Sequence, residues 1–164
     1  MVIDLKRFFQ AEGAEDRFRW ALDFSGVELG GAKPFCAPVE IQARLKSFAG
    51  AVSFLARADF VMAMPCDRCA EEFTREYHKE FAHALVRELE RAEDDEDFIL
   101  VPEEKLDVDR LILEDILLDL PGQFLCREDC LGLCSSCGKN LNQGPCGCGG
   151  RETDPRLEVL RQLL

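Results

Sequence analysis

The residues with the clearest chemical signature are cysteines, of which the chain has nine in 164 residues. Eight of them form four close pairs, each beside a glycine or proline that can turn the backbone: Cys66 and Cys69, Cys126 and Cys130, Cys134 and Cys137, Cys146 and Cys148. A tight turn aims two thiolates at one ion about 2.3 Å away, which is how proteins bind structural zinc. The eight thiolates therefore predict two structural zinc ions, each bound by four cysteines.

The sequence leaves the division of these cysteines between two sites open. A local division places the four cysteines between residues 134 and 148 in one site and leaves Cys66, Cys69, Cys126 and Cys130 for the other. The alternative joins the two Cys-x2-Cys pairs, at 66–69 and 134–137, in one site. Since the entropy of closing a loop grows slowly with its length, the local division is favoured only modestly.

Two other interpretations of the cysteines compete with zinc. The dense run from Cys126 to Cys137 has enough thiols for an iron–sulfur cluster, but it matches neither common ferredoxin spacing. Cys66 and Cys69 have the spacing of a redox dithiol, but no strand–helix–strand pattern or helix N-terminus accompanies them to lower a thiol pKa. The ninth cysteine, Cys36, is expected to be a small buried hydrophobic residue.

Nothing in the sequence indicates an active site. Four thiolates complete the coordination of zinc and leave no open position for a substrate. His78 and His83 have no nucleophile near them in sequence, and the chain has no phosphate-binding loop or nucleophile motif. We therefore expect a protein that is not an enzyme and has no small-molecule substrate.

The elements that must position the cysteines are strands for most of the chain. Apolar and polar residues alternate, as in half-buried strands, over residues 17–24, 39–46 and 52–64, and less regularly over 73–86. A short strand at 98–101 and a helix from Val108 to Leu120, capped by Asp107 or Asp109, follow. The Asp154-Pro155 step predicts a short terminal helix. The expected fold is α+β: a small antiparallel sheet or partly closed barrel with one helix over residues 1–120, and a cysteine-rich tail over 121–164.

Charge is distributed unevenly along the chain. The net charge is −12, and residues 88–119 carry 14 acidic and three basic side chains, a net of −11. Residues 90–97 form an acidic run that predicts a solvated loop. The sequence shows no signal peptide and no apolar stretch long enough to span a membrane, so we expect a cytoplasmic protein.

Basic side chains fall on outward positions of three of the predicted strands. If those strands are neighbours, the side chains form a basic strip that is a candidate RNA contact, and we call it the basic face: Arg17, Arg19, Arg44, Lys46 and Arg57. Trp20 points inward by the same alternation, so it offers no stacking platform beside the strip. Asp23, Glu40 and Asp59 are interspersed, as on an ordinary solvated sheet face.

The chain resembles the YceD family of large ribosomal RNA subunit accumulation proteins. The resemblance is carried by Cys66-Asp67-Arg68-Cys69 with Glu71-Glu72-Phe73 after it, by Leu120-Pro121, and by the block from Gly132 to Asn142 that reads GLCSSCGKNLN. Cys146-Gly147-Cys148 and Asp154-Pro155-Arg156-Leu157 complete it. The family implies a binding role, without catalysis, in accumulation or processing of large-subunit ribosomal RNA.

Several functions follow as expectations. The preferred one is a ribosome-biogenesis factor that binds large-subunit (23S) ribosomal RNA, ribosomal proteins or both. The alternative is an adaptor or chaperone for a basic ribosomal protein, which the acidic segment 88–119 suits electrostatically. A thiol redox protein is a distant third.

Overall fold

The structure is a computed structural model that describes residues 1–88 and 98–148. Within these ranges the chain is a mixed α+β protein with two sheets. A single-turn 3-10 helix covers Leu141–Gln143. The strands and α-helices, in chain order, are β1 (Val2–Asp4), α1 (Lys6–Gln10), β2 (Glu15–Leu22), β3 (Val39–Phe48), β4 (Ala51–Pro65), β5 (Glu72–Val86), β6 (Phe98–Leu100), β7 (Lys105–Asp107) and α2 (Val108–Leu118).

The larger sheet has five strands in the order β2-β3-β4-β5-β6. The pairs β2–β3 and β3–β4 are antiparallel, as expected, but β6 pairs with β5 in parallel. The expectation of a purely antiparallel sheet is wrong here because residues 87–97 separate the two strands, and a tight hairpin cannot join them. In the described residues the strand order runs from β2 to β6 and does not show a closed barrel. The smaller sheet pairs β1 with β7.

One face of the larger sheet is buried under α2. Alternate residues of β3 and β4 are inaccessible to solvent, among them Ile41, Leu45, Phe54 and Met62. The helix begins at its N-cap Asp107, whose carboxylate accepts a hydrogen bond from the Arg110 amide. It buries Val108, Ile112 and Ile116, and Asp109 accepts a hydrogen bond from the Trp20 indole. Because side chains of a strand point alternately to the two faces, the opposite face carries the charged residues.

The chain separates into two compact units. The first unit consists of Met1–Met64 and Thr74–Gly122, and the second combines Pro65–Phe73 with the chain from Gln123 onward. The sequence-based division at residue 120 had assigned residues 65–73 to the core. The structure groups them with the tail, since Cys66 and Cys69 lie beside cysteines of the tail.

The expectation for Cys36 is wrong, because its side chain is exposed. Its neighbour Phe35 is only 3% exposed and forms a β-bridge with Met62. In extended chain, consecutive side chains point in opposite directions, so Cys36 faces outward when Phe35 faces inward.

Three further expectations are only partly open to inspection. The acidic run 90–97 lies mostly, and the terminal helix after Asp154 wholly, outside the described residues. No helix in the described part of the chain has the length and apolar character needed to cross a membrane.

Candidate metal centres

Eight cysteines gather into two groups of four, both within the second unit. We call Cys66, Cys69, Cys126 and Cys130 the first cluster, and Cys134, Cys137, Cys146 and Cys148 the second cluster. In each cluster all four sulfur atoms lie within 4.8 Å of one another. This is the local division that the sequence favoured over the joining of the two Cys-x2-Cys pairs.

The distances between sulfur atoms fit a single ion in each cluster. The Sγ atoms of Cys66 and Cys130 are 3.8 Å apart, as are those of Cys69 and Cys126, and those of Cys134 and Cys146 are 3.4 Å apart. A tetrahedral site with metal–sulfur bonds of about 2.3 Å places its sulfurs about 3.8 Å from each other. An iron–sulfur cluster has several atoms between its thiolates and needs wider spacing. The arrangement is thus compatible with a mononuclear, closed, structural metal site.

The turn between β4 and β5 positions half of the first cluster. The backbone turns back at once after β4, where the Cys66 amide donates to the Glu71 carbonyl at 2.9 Å and the Ala70 amide to the Cys66 carbonyl at 2.8 Å. Asp67 joins this turn to the other half, because its amide donates to the Phe124 carbonyl and its carboxylate accepts from the Phe124 amide. These contacts bring together cysteines that are 57 and 64 residues apart.

Arg68 and Gly132 form a second link within the first cluster. The Arg68 guanidinium donates to the Cys130 carbonyl at 3.0 Å, and the Arg68 carbonyl accepts from the Leu133 amide at 3.1 Å. Gly132 has a φ of +74°, and a Cβ there would lie 3.0 Å from the Arg68 carbonyl oxygen. A side chain at this position would therefore collide with the turn that carries Cys66 and Cys69.

The second cluster is built from one local loop. The Cys134 amide donates to the Lys139 carbonyl at 2.8 Å, and the Gly138 amide donates back to the Cys134 carbonyl at 2.9 Å. Leu133 and Asn140 form a β-bridge across the base of this turn. Cys137 and Cys148 are exposed, so the cluster lies near the protein surface.

The thiols of both clusters differ in their ease of ionisation. Burial opposes the charged form of Cys66, but amides of Cys126, Cys69 and Arg68 donate to its sulfur and lower its pKa to about 6. Amides of Cys137 and Ser136 lower the pKa of Cys134 to about 6 in the same way.

Each cluster also contains a thiol that resists ionisation. Burial raises the pKa of Cys126 to about 12, and a hydrogen bond with Cys137, whose negative charge adds to it, raises that of Cys148 to about 12. Four thiolates so close together repel one another, and a cation is what allows all four to be charged.

The structure also shows where the basic face lies. The register pairs Arg17 with Arg44 and Arg19 with Gln42, and it pairs Gln42 with Arg57 on the next strand. Four arginines therefore share the exposed face of β2, β3 and β4, where they line a shallow concavity of about 660 Å³. Lys46 points to the same side but does not line the concavity. Trp20 lies on the opposite face, against α2.

Carboxylates accompany these arginines. Glu15 accepts hydrogen bonds from Arg44 at 2.7 Å and from Arg17 at 3.5 Å, and its pKa is lowered, chiefly by the Arg44 hydrogen bond. Asp59 contacts Arg57 at 3.0 Å. Arg19 makes no ion pair with any residue in the described ranges. Sequence reasoning did not assign Glu15 a role, since its two contacts depend on the strand register.

Comparison with known proteins adds a family. Residues 55–164 match the model of the family described as "Large ribosomal RNA subunit accumulation protein YceD". Among curated proteins, the chain is similar to the uncharacterized proteins Mb2951c of Mycobacterium bovis and Rv2926c of Mycobacterium tuberculosis. Each is 38% identical over 64 residues, which is 39% of this chain and 30% of the relative. The chain thus spans less than a third of the length of these relatives. No solved structure matches.

The family match covers about two thirds of the chain and includes all eight clustered cysteines. It extends upstream to β4 and β5, so it contains the turn of Cys66 and Cys69 as well as the tail. The name of the family points to the large ribosomal subunit. The chain belongs to the YceD family of large ribosomal RNA subunit accumulation proteins.

Proposed function

We propose that the protein promotes accumulation of large-subunit ribosomal RNA by binding RNA directly through its basic face, without catalysis, in the cytoplasm. One observation carries the proposal: the strand register places Arg17, Arg19, Arg44 and Arg57 around a single concavity on an exposed sheet face. Elsewhere the chain is strongly acidic, so this is an unusual concentration of cations for a protein of net charge −12.

The shape of the basic face suits single-stranded RNA. Four neighbouring strands, from β2 to β5, span about 14 Å at the usual spacing of about 4.8 Å. The floor of the concavity includes Leu55, which is 44% exposed, and its rim carries planar guanidinium groups. Unpaired bases stack on guanidinium planes while the same arginines bind phosphates, and sheet faces bind two or three bases in other RNA-binding folds. A rigid duplex would contact only the rim.

Carboxylates on this face act as internal counterions. Glu15 holds Arg44 and Arg17, and Asp59 holds Arg57, so an incoming phosphate must compete for three of the four arginines. Arg19 is available without such competition among the described residues. The competition weakens binding and favours a ligand that presents several phosphates at once.

Zinc is the metal proposed for both clusters. Four thiolates at tetrahedral spacing are typical of structural zinc, and a closed shell leaves the ion no role beyond holding the second unit together. The first cluster would bind one ion through Cys66, Cys69, Cys126 and Cys130, and the second cluster another through Cys134, Cys137, Cys146 and Cys148. Elemental analysis of anaerobically purified protein tests this, and iron with labile sulfide would contradict it.

The test of RNA binding uses fragments of large-subunit ribosomal RNA without ribosomal proteins. Arg19→Glu/Arg57→Glu reverses two exposed cations of the basic face, and Lys33→Glu/Arg110→Glu makes the same charge change at exposed cations elsewhere. We expect the first variant to lose affinity, with a salt dependence reduced by about 0.7 per lost phosphate contact. The control should lose little. Equal binding by the two variants would contradict the proposal.

Removal of a counterion gives a complementary result. Glu15→Gln frees Arg44 and Arg17 from their carboxylate, so binding to the same RNA should become tighter. Weaker or unchanged binding would argue against the basic face as the contact.

A second function, that of an adaptor for a basic ribosomal protein, has its own support in the acidic segment. Residues 88–119 carry a net charge of −11, and the described part includes carboxylates of α2 and its cap. On this alternative, the protein binds a basic ribosomal protein without RNA and fails to bind the RNA fragments alone. The two functions are thus distinguished by the same titration.

A further inference from the structure

Asn142 belongs to the loop of the second cluster, but its side chain contacts the first cluster. It lies in the 3-10 helix Leu141–Gln143, between the cysteine pairs 134–137 and 146–148. Its side-chain nitrogen donates to the sulfur of Cys130 at 3.3 Å. Its side-chain oxygen accepts from the Leu131 amide at 2.8 Å and from the Arg127 guanidinium at 2.6 Å. One side chain therefore binds both a ligand sulfur and the backbone that carries it.

The position of Asn142 depends on the folding of the second-cluster loop. The Asn140 carboxamide oxygen accepts from both the backbone and the side-chain nitrogen of Asn142, each at 2.9 Å. Asn140 is bridged to Leu133, next to Cys134, and the Leu141 amide donates to the Gly132 carbonyl at 2.9 Å. A metal ion bound by Cys134, Cys137, Cys146 and Cys148 would close this loop from both ends.

We infer that Asn142 is a positioning residue that couples the two clusters, so that occupancy of the second cluster strengthens metal binding at the first. An N–H donated to a thiolate offsets part of its charge and orients it, and such outer-shell partners typically change metal affinity by about 10–100-fold. When the second-cluster loop is open, the first cluster loses this donor. The inference rests on the proposal that both clusters bind zinc.

The experiment measures zinc affinity by chelator competition, with native mass spectrometry to count bound ions. Asn142→Asp keeps an oxygen acceptor for Leu131 and Arg127 but removes the donor to sulfur, and Asn142→Ala removes both. Gln143→Ala is the matched control, since Gln143 contacts the Glu71 carboxylate and no ligand sulfur. We expect both Asn142 variants to bind the first-cluster ion about 10–100-fold more weakly, with little change in the control.

A double-mutant cycle tests the coupling itself. Cys146→Ser/Cys148→Ser disables the second cluster and should weaken zinc binding at the first by a similar factor. In that background, Asn142→Asp should have little further effect, because its donor is already displaced. The thiolate-to-cobalt absorption of the Co²⁺-substituted first cluster should shift in the Asn142 variants, which a purely structural role would not produce.

Each outcome is decisive. If the Asn142 variants retain the affinity of the parent protein, or if their effect is the same with and without an intact second cluster, the coupling is wrong while the zinc proposal stands. If the parent protein binds no zinc, both are wrong.

Discussion

The first and second clusters use the same four ligands in different surroundings. In the first cluster Cys66, Cys69 and Cys130 are at most 4% exposed, and Phe73 and Leu125 pack against them. In the second cluster Cys137 and Cys148 are exposed, and the ligands are within 15 residues of sequence, from 134 to 148. The first cluster closes a long loop and forms a small core, whereas the second closes a short loop at the surface.

Ionisation does not distinguish the clusters. Each has one thiol whose pKa is about 6 because backbone amides donate to it, and one whose pKa is about 12 because burial or a neighbouring sulfur opposes its charge. Burial and loop length are what differ. The comparison teaches that identical metal chemistry can stabilise a whole unit in one place and a single loop in another.

The largest effect is expected from loss of a first-cluster ligand. Cys66→Ser should release one metal ion per chain and unfold the second unit, since the metal there offsets the entropy of a long loop by several kcal/mol. Amide hydrogen exchange should show loss of protection over 65–73 and 123–148, with the sheet of the first unit retained. The matched control is Cys36→Ser, an exposed cysteine outside both clusters. Full protection in Cys66→Ser would contradict a structural role for the first cluster.

A smaller effect is expected at the second cluster. Cys134→Ser should also release one ion, but the loss of amide protection should concentrate between residues 133 and 148 because the buried first cluster remains closed. The rest of the second unit should stay folded, and the first-cluster ion should be retained with reduced affinity. Equal loss of protection in the two serine variants would remove the distinction between the clusters.

The smallest effect separates two glycines of similar backbone geometry. Gly132 and Gly138 have φ values of +74° and +72°, so alanine at either position costs about 1–2 kcal/mol of strain. Only at Gly132 does a Cβ meet another group, the Arg68 carbonyl at 3.0 Å. In thermal unfolding, Gly132→Ala should therefore destabilise the protein more than Gly138→Ala. The reverse order would show that the contact between the Arg68 turn and Gly132 matters little.

Alternation of apolar and polar residues predicted the central strands well. The predicted segments at 17–24, 39–46 and 52–64 correspond to β2, β3 and β4, and the irregular segment 73–86 forms the single strand β5. The elements that were not predicted, β1, α1 and β7, have three to five residues each. Such short pieces have no period of their own, and β1 exists because β7 pairs with it across 100 residues of chain.

The candidate sites were predicted unevenly. The eight cysteines and the outward direction of the five basic residues follow from spacing and from the period of a strand. The contacts of Glu15 with two arginines and of Asn142 with Cys130 do not, because each depends on how separate segments align. Asn142 belongs to the motif that carries the family resemblance, but its residue type alone gave no reason to place it beside a sulfur.

The sequence by itself determined the ligand types, the alternating strands and the acidic charge, because these are properties of nearby residues. Only the tertiary structure decided that Cys66 and Cys69 join Cys126 and Cys130, that this cluster is buried, and that four arginines surround one concavity. The cost of closing a loop changes too slowly with length to choose between the divisions of eight equivalent thiols. Packing and strand register make that choice, since they act between residues that the sequence holds far apart.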